Sequence, residues 1–303
     1  MRLLRFDSGK GPRLGAMDGD RIVDLLAAAQ GLKLDIPPAW LAPGINDLIA
    51  AGAEGLKAVA AVVSRTREAR GFLLSTADAR ILAPVASPSK IIAVGQNYMD
   101  HIREQGIKPP ERPVLFSKAP TSVIGPGDAI SWPAGFTVQA DPEVELGVII
   151  GSRTKGVSPA AALDSVFGYT VLNDVSARDV QFGDGQWVRG KSPDTFCPLG
   201  PVIVTRDEIP DPQSLKLSCA VNGRVWQDSN TKEMIFSVAM LVSFIAQGMT
   251  LLPGDIVATG TPNGVGVFQK PPVFLKSGDK LRLEVEKIGV LENPVAGPLG
   301  TYP

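Results

Sequence analysis

The alternation of apolar and polar positions divides the chain into two parts of different texture. In residues 1–75, short strand-like stretches at 1–6 and 13–23 precede helical spacing at 24–29 and at 46–69. This order predicts a small N-terminal α+β domain over residues 1–75. The stretches 71–79 and 82–89 are rich in small residues and proline, and they predict a linker.

The pattern in residues 85–303 consists of short apolar runs separated by Gly, Pro, Asn and Asp. These runs predict strands at 91–94, 114–116, 143–150, 167–173, 202–205, 216–221, 255–259 and 280–285. Helical patterns occur at 158–165, beginning at Ser158, and at 235–247, closed by Gly248. So many strands with so few helices argue against a doubly wound α/β sheet. They predict a large, mostly β domain over residues 85–303, which would be the catalytic domain. The fold as a whole is then of the α+β class.

Composition excludes several classes of protein. The 303 residues carry 30 basic and 31 acidic side chains, and the basic ones are scattered, so no nucleic-acid surface is expected. No apolar run approaches the roughly 18 residues that span a bilayer, so no membrane partner is expected. With two cysteines, Cys197 and Cys219, and no secretory pattern, the sequence predicts a cytoplasmic protein.

The single histidine, His101, restricts the kind of metal site that the chain can build. Sites with two or three histidine ligands from one chain are excluded. Any metal site must therefore rely on carboxylates, whose oxygens suit Mg²⁺ or Mn²⁺, with Ca²⁺ as a further option, better than Zn²⁺ or Cu²⁺.

Three acidic residues stand next to buried strands. In an extended strand, Glu143 and Glu145 share one face. The strand continues as an apolar run, which indicates burial, and two buried carboxylates need a cation between them. Asp174 ends the apolar run 167–173 and would point to the edge of the sheet. A solvated acidic face for the glutamates and a turn or cap role for Asp174 are the alternatives.

Six ordered stretches together resemble the fumarylacetoacetate hydrolase family. They include Gly-Gln-Asn-Tyr at 95–98 and Asp-Pro-Glu-Val-Glu-Leu at 141–146; the full set is 95–104, 116–118, 141–146, 168–179, 190–201 and 259–266. The resemblance implies a mixed β-sandwich roll, a small N-terminal domain, commonly a homodimer, and Glu143, Glu145 and Asp174 as metal ligands. Pro142 stands where the family usually has an aromatic residue.

The resemblance also implies an activity. We expect a divalent-metal-dependent hydrolase that cleaves a carbon–carbon bond of a small 2,4-dioxo acid, such as an acylpyruvate. Decarboxylation of oxaloacetate, and dehydration or isomerisation of a 2-oxo-3-deoxy sugar acid, use the same enolate chemistry and stay open. Outside enzymes, a structural metal-binding protein is the alternative.

Catalytic roles are expected for three residues. His101 would take a proton from water, Glu104 would orient the imidazole, and Lys191 would stabilise an oxyanion. A surface helix turn and a solvated loop lysine are the simpler interpretations. For the substrate, Thr261 is the main expected contact, and the weaker ones are Arg178, Tyr98, Gln96, Lys118 and Gln227. The stretch 102–113 is a candidate for a mobile lid that determines specificity.

Overall fold

The structure is a computed structural model that describes residues 1–69 and 71–300. Its helices are α1 (Leu25–Gly31), α2 (Asn46–Ala69), α3 (Met99–Gln105), α4 (Pro159–Ala162), α5 (Arg178–Asp184), α6 (Val188–Lys191) and α7 (Val238–Gly248). Its first strands are β1 (Arg2–Asp7), β2 (Pro12–Asp18), β3 (Arg21–Asp24), β4 (Leu73–Ser75), β5 (Arg80–Leu82), β6 (Ile91–Gly95), β7 (Val114–Lys118), β8 (Val123–Ile124), β9 (Ile130–Pro133) and β10 (Ala140–Asp141). The remaining strands are β11 (Val144–Ile150), β12 (Val166–Asn173), β13 (Ser176–Ala177), β14 (Cys197–Thr205), β15 (Lys216–Val221), β16 (Arg224–Asn230), β17 (Ile256–Ala258), β18 (Lys280–Val285) and β19 (Gly289–Leu299).

Two large sheets and one short strand pair organise the chain. The larger sheet has the order β4-β3-β2-β1-β14-β12-β11-β17-β6-β7, with β5 added to β1 and β8 to β14. The smaller sheet has the order β16-β15-β18-β19-β9, and β10 pairs with β13. Strands β11 and β12 pack against β15, β18 and β19, so the sheets face each other. The predicted mostly β, sandwich-like α+β fold is confirmed.

The centre of the larger sheet consists of β11 and β12, which are buried along their whole length. Both are rich in β-branched and aromatic residues, which suit a strand packed on two faces. Leu146, Val148 and Val171 pack with Leu217 and Leu283 of the smaller sheet. The end of this rigid strand pair carries the acidic residues singled out above.

The N-terminal 75 residues contribute strands to the same sheet. Strand β1 pairs antiparallel with β14, with Leu3 opposite Ile203. The predicted linker, residues 71–79 and 82–89, contains regular structure. Strand β4 lies within it, and β5 pairs antiparallel with β1, with Arg80 opposite Asp7. The division into domains 1–75 and 85–303 stays a prediction, and residues 301–303 of the second lie outside the described part.

The predicted strands of residues 91–285 are present with shifts of one to a few residues at their ends, and β14 is longer because it begins at Cys197. Helix α7 begins three residues later than predicted because Ser237 caps it, accepting a hydrogen bond from Met240 N at 3.3 Å. The long N-terminal helix is interrupted at Gly52, which has φ 56°. No helix in the described ranges combines the length and apolarity needed to cross a membrane.

Candidate metal centre and active site

Glu143, Glu145 and Asp174 converge at one end of the β11–β12 pair, and we call them the carboxylate cradle. In the antiparallel register Val144 lies opposite Asn173, and Asp174 N donates to Glu143 O at 3.0 Å. One carboxylate oxygen from each residue lies within 4.8 Å of the other two. All three side chains are buried. The structure therefore brings the three acidic residues of the two strands together in one buried cluster.

Three cations contact the cradle. Lys191 Nζ lies 2.9 Å from Glu143 Oε2 and 2.7 Å from Asp174 Oδ2. Lys118 Nζ lies 2.6 Å from Asp174 Oδ1, and Arg178 lies 2.7 Å from Glu143 Oε1. Burial raises the pKa of Glu143, but the charges of Lys191 and Arg178 outweigh it and lower the pKa to about 2. Burial acts to lower the pKa of Lys191, but Asp174 and Glu143 raise it, so the ammonium form is favoured.

Glu145 differs from the other two carboxylates in having no ion-pair partner among the described residues. It is 1% exposed, and its Oε2 accepts a hydrogen bond from Gly260 N at 2.8 Å. Among the ion pairs of the described residues none includes Glu145. Burial, Asp174 and Glu143 raise its pKa well above the usual range. A cation beside this buried carboxylate would stabilise its ionised form, and three hard oxygen donors fit a divalent one.

His101 and Glu104 form a hydrogen-bonded pair on α3. His101 Nδ1 lies 2.9 Å from Glu104 Oε2, one helical turn away, and the imidazole is 7% exposed. The other oxygen, Glu104 Oε1, accepts from Gly264 N at 2.9 Å, which fixes the carboxylate. Because the Glu104 carboxylate can only accept a hydrogen bond, the neutral imidazole of His101 donates its Nδ1–H to it. Nε2 is then the nitrogen that can act as a base.

A cavity of about 480 Å³, including its open mouth, is lined by His101 of the pair and Glu143 of the cradle, while Glu104, Glu145 and Asp174 lie behind its wall. Six of the predicted site residues line it: Gln96, His101, Glu143, Arg178, Lys191 and Thr261. The two cations among them, Arg178 and Lys191, already contact carboxylates. The hydroxyl of Thr261 is also committed, since it donates to Val144 O at 3.1 Å and accepts from Gln227 Nε2 at 2.8 Å.

Three predicted substrate contacts lie behind the cavity wall instead of on it. Tyr98 is fully buried. Lys118 is fully buried beneath Asp174, where it also donates to the carbonyl oxygen of Lys191. Gln227 holds the cradle strand to the Thr261 loop, because it accepts from Val144 N at 2.9 Å and donates to Pro262 O at 2.9 Å. Their contacts support the site and do not face the space available to a substrate.

Several wall residues were not among the predicted site residues, although Gly95 and Phe116 lie in the quoted motifs and Gln105 lies in the candidate lid. They are Val94, Gly95, Gln105, Phe116, Gln181, Phe182, Trp187 and Phe268. Aromatic and amide side chains have no distinctive spacing, so only the folded chain shows that they share a cavity. One clue existed for Gly95: it is part of a quoted motif, and a Cβ there would lie 2.3 Å from the Trp187 ring.

The sequence of the chain matches the model of a known protein family, whose members are enzymes. The family model described as fumarylacetoacetate (FAA) hydrolase C-terminal matches residues 90–296. The chain therefore belongs to the fumarylacetoacetate hydrolase family, and the resemblance drawn from its motifs is confirmed.

Relatives span almost the whole chain. The mitochondrial oxaloacetate tautomerase FAHD2A of Bos taurus is 43% identical over 301 residues, covering 97% of this chain and 91% of that protein. The solved fumarylacetoacetate hydrolase of Exiguobacterium antarcticum has a TM-score of 0.83 and 38% identity, covering 98% of this chain and 99% of that one. A maleylpyruvate hydrolase of Sphingobium sp. SYK-6, solved with manganese(II) and pyruvate, has a TM-score of 0.79 and 32% identity, covering 99% and 100%.

Proposed function

We propose that the protein is a divalent-metal-dependent enzyme that moves a proton at C3 of a small 2-oxo acid, and that its reaction is the keto–enol tautomerisation of oxaloacetate. One observation carries the proposal: Glu143 of the buried carboxylate cradle and His101 of the His–Glu pair line the same cavity. The 43% identity to an oxaloacetate tautomerase supports the choice of substrate.

The cradle would hold Mg²⁺ or Mn²⁺, with Ca²⁺ as a weaker option. When bound, the cation would supply Lewis acidity that stabilises negative charge on a 2-oxo acid. The neighbouring solved structure with manganese(II) and pyruvate supports both the metal and the class of ligand. Lys191, held between Glu143 and Asp174, adds a fixed positive charge at the edge of the same site.

His101 performs the proton transfer. Its Nε2 takes a proton from C3 of the keto form, the C–H electron pair becomes the second bond between C2 and C3, and the C2–O π pair moves to the oxygen. The imidazolium then gives its Nε2 proton to that oxygen, which completes the enol and regenerates the neutral base. Glu104 stabilises the imidazolium, because its carboxylate is fixed at Nδ1 and by Gly264 N. The reverse sequence converts enol to keto, so the enzyme accelerates both directions.

Hydrolysis of a 2,4-dioxo acid is the second candidate. The same His101–Glu104 pair would remove a proton from water that attacks the distal carbonyl. The likeness to a maleylpyruvate hydrolase favours it. The two functions differ in one requirement, since hydrolysis needs a water molecule between His101 and the substrate and tautomerisation does not.

An assay of two substrates with one set of variants tests the proposal. We expect faster decay of enol-oxaloacetate than cleavage of an acylpyruvate, and loss of both on chelation with recovery on adding Mn²⁺. His101→Gln lowers kcat by about 10²–10⁴-fold, while Mn²⁺ affinity is retained. Arg103→Ala, on the exposed side of α3 where Arg103 contacts Glu233, is the matched control and keeps full activity.

Each contrary result has a definite meaning. Faster cleavage of the acylpyruvate would replace the first function with the second. Full turnover after chelation would remove the metal from the reaction, and full turnover of His101→Gln would remove the base.

A further inference from the structure

Residues 264–268 touch the His–Glu pair at two points, and we call them the 264–268 segment. Its first residue, Gly264, donates its N–H to Glu104. Its last residue, Phe268, places its ring 5.7 Å from the imidazole of His101, centroid to centroid. The segment therefore contacts both members of the pair, one through a hydrogen bond and the other through an aromatic ring.

One carboxylate anchors the middle of this segment. Asp141 Oδ1 accepts from Gly266 N at 2.7 Å, and Asp141 Oδ2 accepts from Val267 N at 3.0 Å. Asp141 is fully buried, so these bonds are shielded from water. Gly266 allows the close approach, since a Cβ there would lie 2.0 Å from Val273 O and 2.8 Å from the carboxylate itself.

The same carboxylate is tied to the cradle. Asp141 Oδ2 accepts from Arg178 Nε at 2.9 Å, and the guanidinium continues to Glu143 Oε1 at 2.7 Å. The backbone of Asp141 is fixed as well, because β10 pairs with β13 and sets Asp141 opposite Ser176. Polar contacts thus run from Glu143 through Arg178 and Asp141 to the 264–268 segment, whose backbone leads to the Gly264 N–H that binds Glu104.

We propose that Asp141 is a positioning residue that sets the place of His101 relative to the carboxylate cradle. It accepts three N–H groups, two from the 264–268 segment and one from Arg178, and so links the two halves of the site. The inference rests on the proposed role of His101 as the base. It goes beyond that role because Asp141 does not line the cavity and acts only through other residues.

Asp141→Asn is the direct test. The amide keeps the size of the side chain but turns one acceptor into a donor, which must face either Arg178 or the segment. We expect kcat to fall by about 10²-fold, the usual effect of a shift of about 1 Å. The Kd for Mn²⁺, measured by titration without substrate, changes by less than the fall in kcat.

A double-mutant cycle separates positioning from general damage. If Asp141 acts through His101, Asp141→Asn has no further effect on kcat in a His101→Gln background. An additive loss, or a loss of Mn²⁺ affinity in proportion to kcat, overturns the proposal. Unchanged turnover of His101→Gln alone would instead defeat the proposed function, so the two failures are distinguishable.

Two further variants complete the design. Asp255→Asn is the matched control: Asp255 is also fully buried, pairs with Lys90 and accepts from Leu252 N at 2.7 Å, but lies outside the cavity wall. We expect Asp255→Asn to lower the melting temperature. His101→Gln should reduce kcat by the same factor in the Asp255→Asn variant as in the wild type. Phe268→Leu disturbs the other end of the segment with the anchor intact. It shows the same non-additivity with His101→Gln, and an additive result counts against the proposal even if Asp141→Asn does not fold.

Discussion

Glu145 differs from the other two members of the cradle in its electrostatic surroundings. Glu143 and Asp174 each contact a lysine, whereas Glu145 receives one backbone N–H from Gly260. Its pKa is raised by burial and by Asp174 and Glu143, while that of Glu143 is lowered to about 2. The metal-free protein therefore holds a buried carboxyl group whose ionised form is disfavoured, placed where a cation is useful.

Glu145→Gln is predicted to stabilise the metal-free protein while abolishing metal binding. Removing a buried charge without a partner gains roughly 1–3 kcal/mol of unfolding free energy. Since the folded pKa of Glu145 is raised, the wild type recovers stability as the pH falls through that pKa towards 4.5, the ordinary pKa of a glutamate. Glu143 acts oppositely and loses its contribution between 4.5 and about 2. Chemical denaturation of both proteins over this pH range, with chelator, measures the difference; a less stable variant at pH 7 contradicts the prediction.

The role of a residue can be predicted from the sequence when it depends on neighbours along the chain, but not when it depends on contacts with distant segments. Strand alternation placed Glu143 and Glu145 on one face and the end of an apolar run singled out Asp174, but only the family resemblance implied that the three act together as metal ligands. The role of Asp141 was not predictable, because it depends on Arg178, which is 37 residues away along the chain. Phe182 of α5 and Trp187, directly before α6, line the cavity because of where these two helices pack, which has no signature in the spacing of the residues.

Short elements around the cavity depend on tertiary contacts for their existence. Residues 178–191 form α5 and α6, which the sequence did not predict, since Gly183, Gly185 and Gly190 lower the intrinsic helix propensity. At Gly190 the lack of a side chain allows α6 to pack closely against α5, since a Cβ there would lie 2.8 Å from Gln181 N. This packing offsets the low helix propensity of the glycine. Longer, regularly patterned elements such as β11, β12 and α7 were predictable because burial and periodicity agree.

Gly264→Ala tests how far a loop glycine controls the catalytic pair. Gly264 has φ +98°, and a Cβ there would lie 2.0 Å from Trp226 O, so the loop must move and Gly264 N must leave Glu104. We expect kcat to fall at least about ten-fold, because Glu104 loses the bond that orients it. Gly278→Ala is the matched control, since Gly278 has φ +91° with nothing within 4 Å of the added Cβ.

Both variants incur a backbone strain of about 1–3 kcal/mol, which differential scanning calorimetry records as a lower melting temperature. Only Gly264→Ala should change turnover. Equal kinetic losses in the two variants would mean that strain, and not the contact with Glu104, limits activity.

Across the whole molecule, the N-terminal residues and the catalytic part share one apolar core. Leu3 and Leu14 pack in the same cluster as Ile149, Phe167 and Ile203. The β1–β14 pairing adds backbone hydrogen bonds between the two parts. The apolar pattern of residues 1–75 predicted the elements but not this docking, because β1 alone does not reveal which strand it will pair with. The homodimer and the cytoplasmic location stay predictions.

The shared sheet and core predict that the chain unfolds in one cooperative transition. Because β1 continues the sheet whose centre carries the cradle, metal binding should stabilise the N-terminal strands together with the site. At a free Mn²⁺ concentration of about one hundred times Kd, the gain is about 2.7 kcal/mol and shifts the entire transition upward. Calorimetry with and without Mn²⁺ measures this, with Glu145→Gln as the variant that should not respond. Two transitions, of which only one moves with Mn²⁺, would show that residues 1–75 unfold as an independent domain, because a part that does not share the cooperative unit cannot gain from a ligand bound elsewhere.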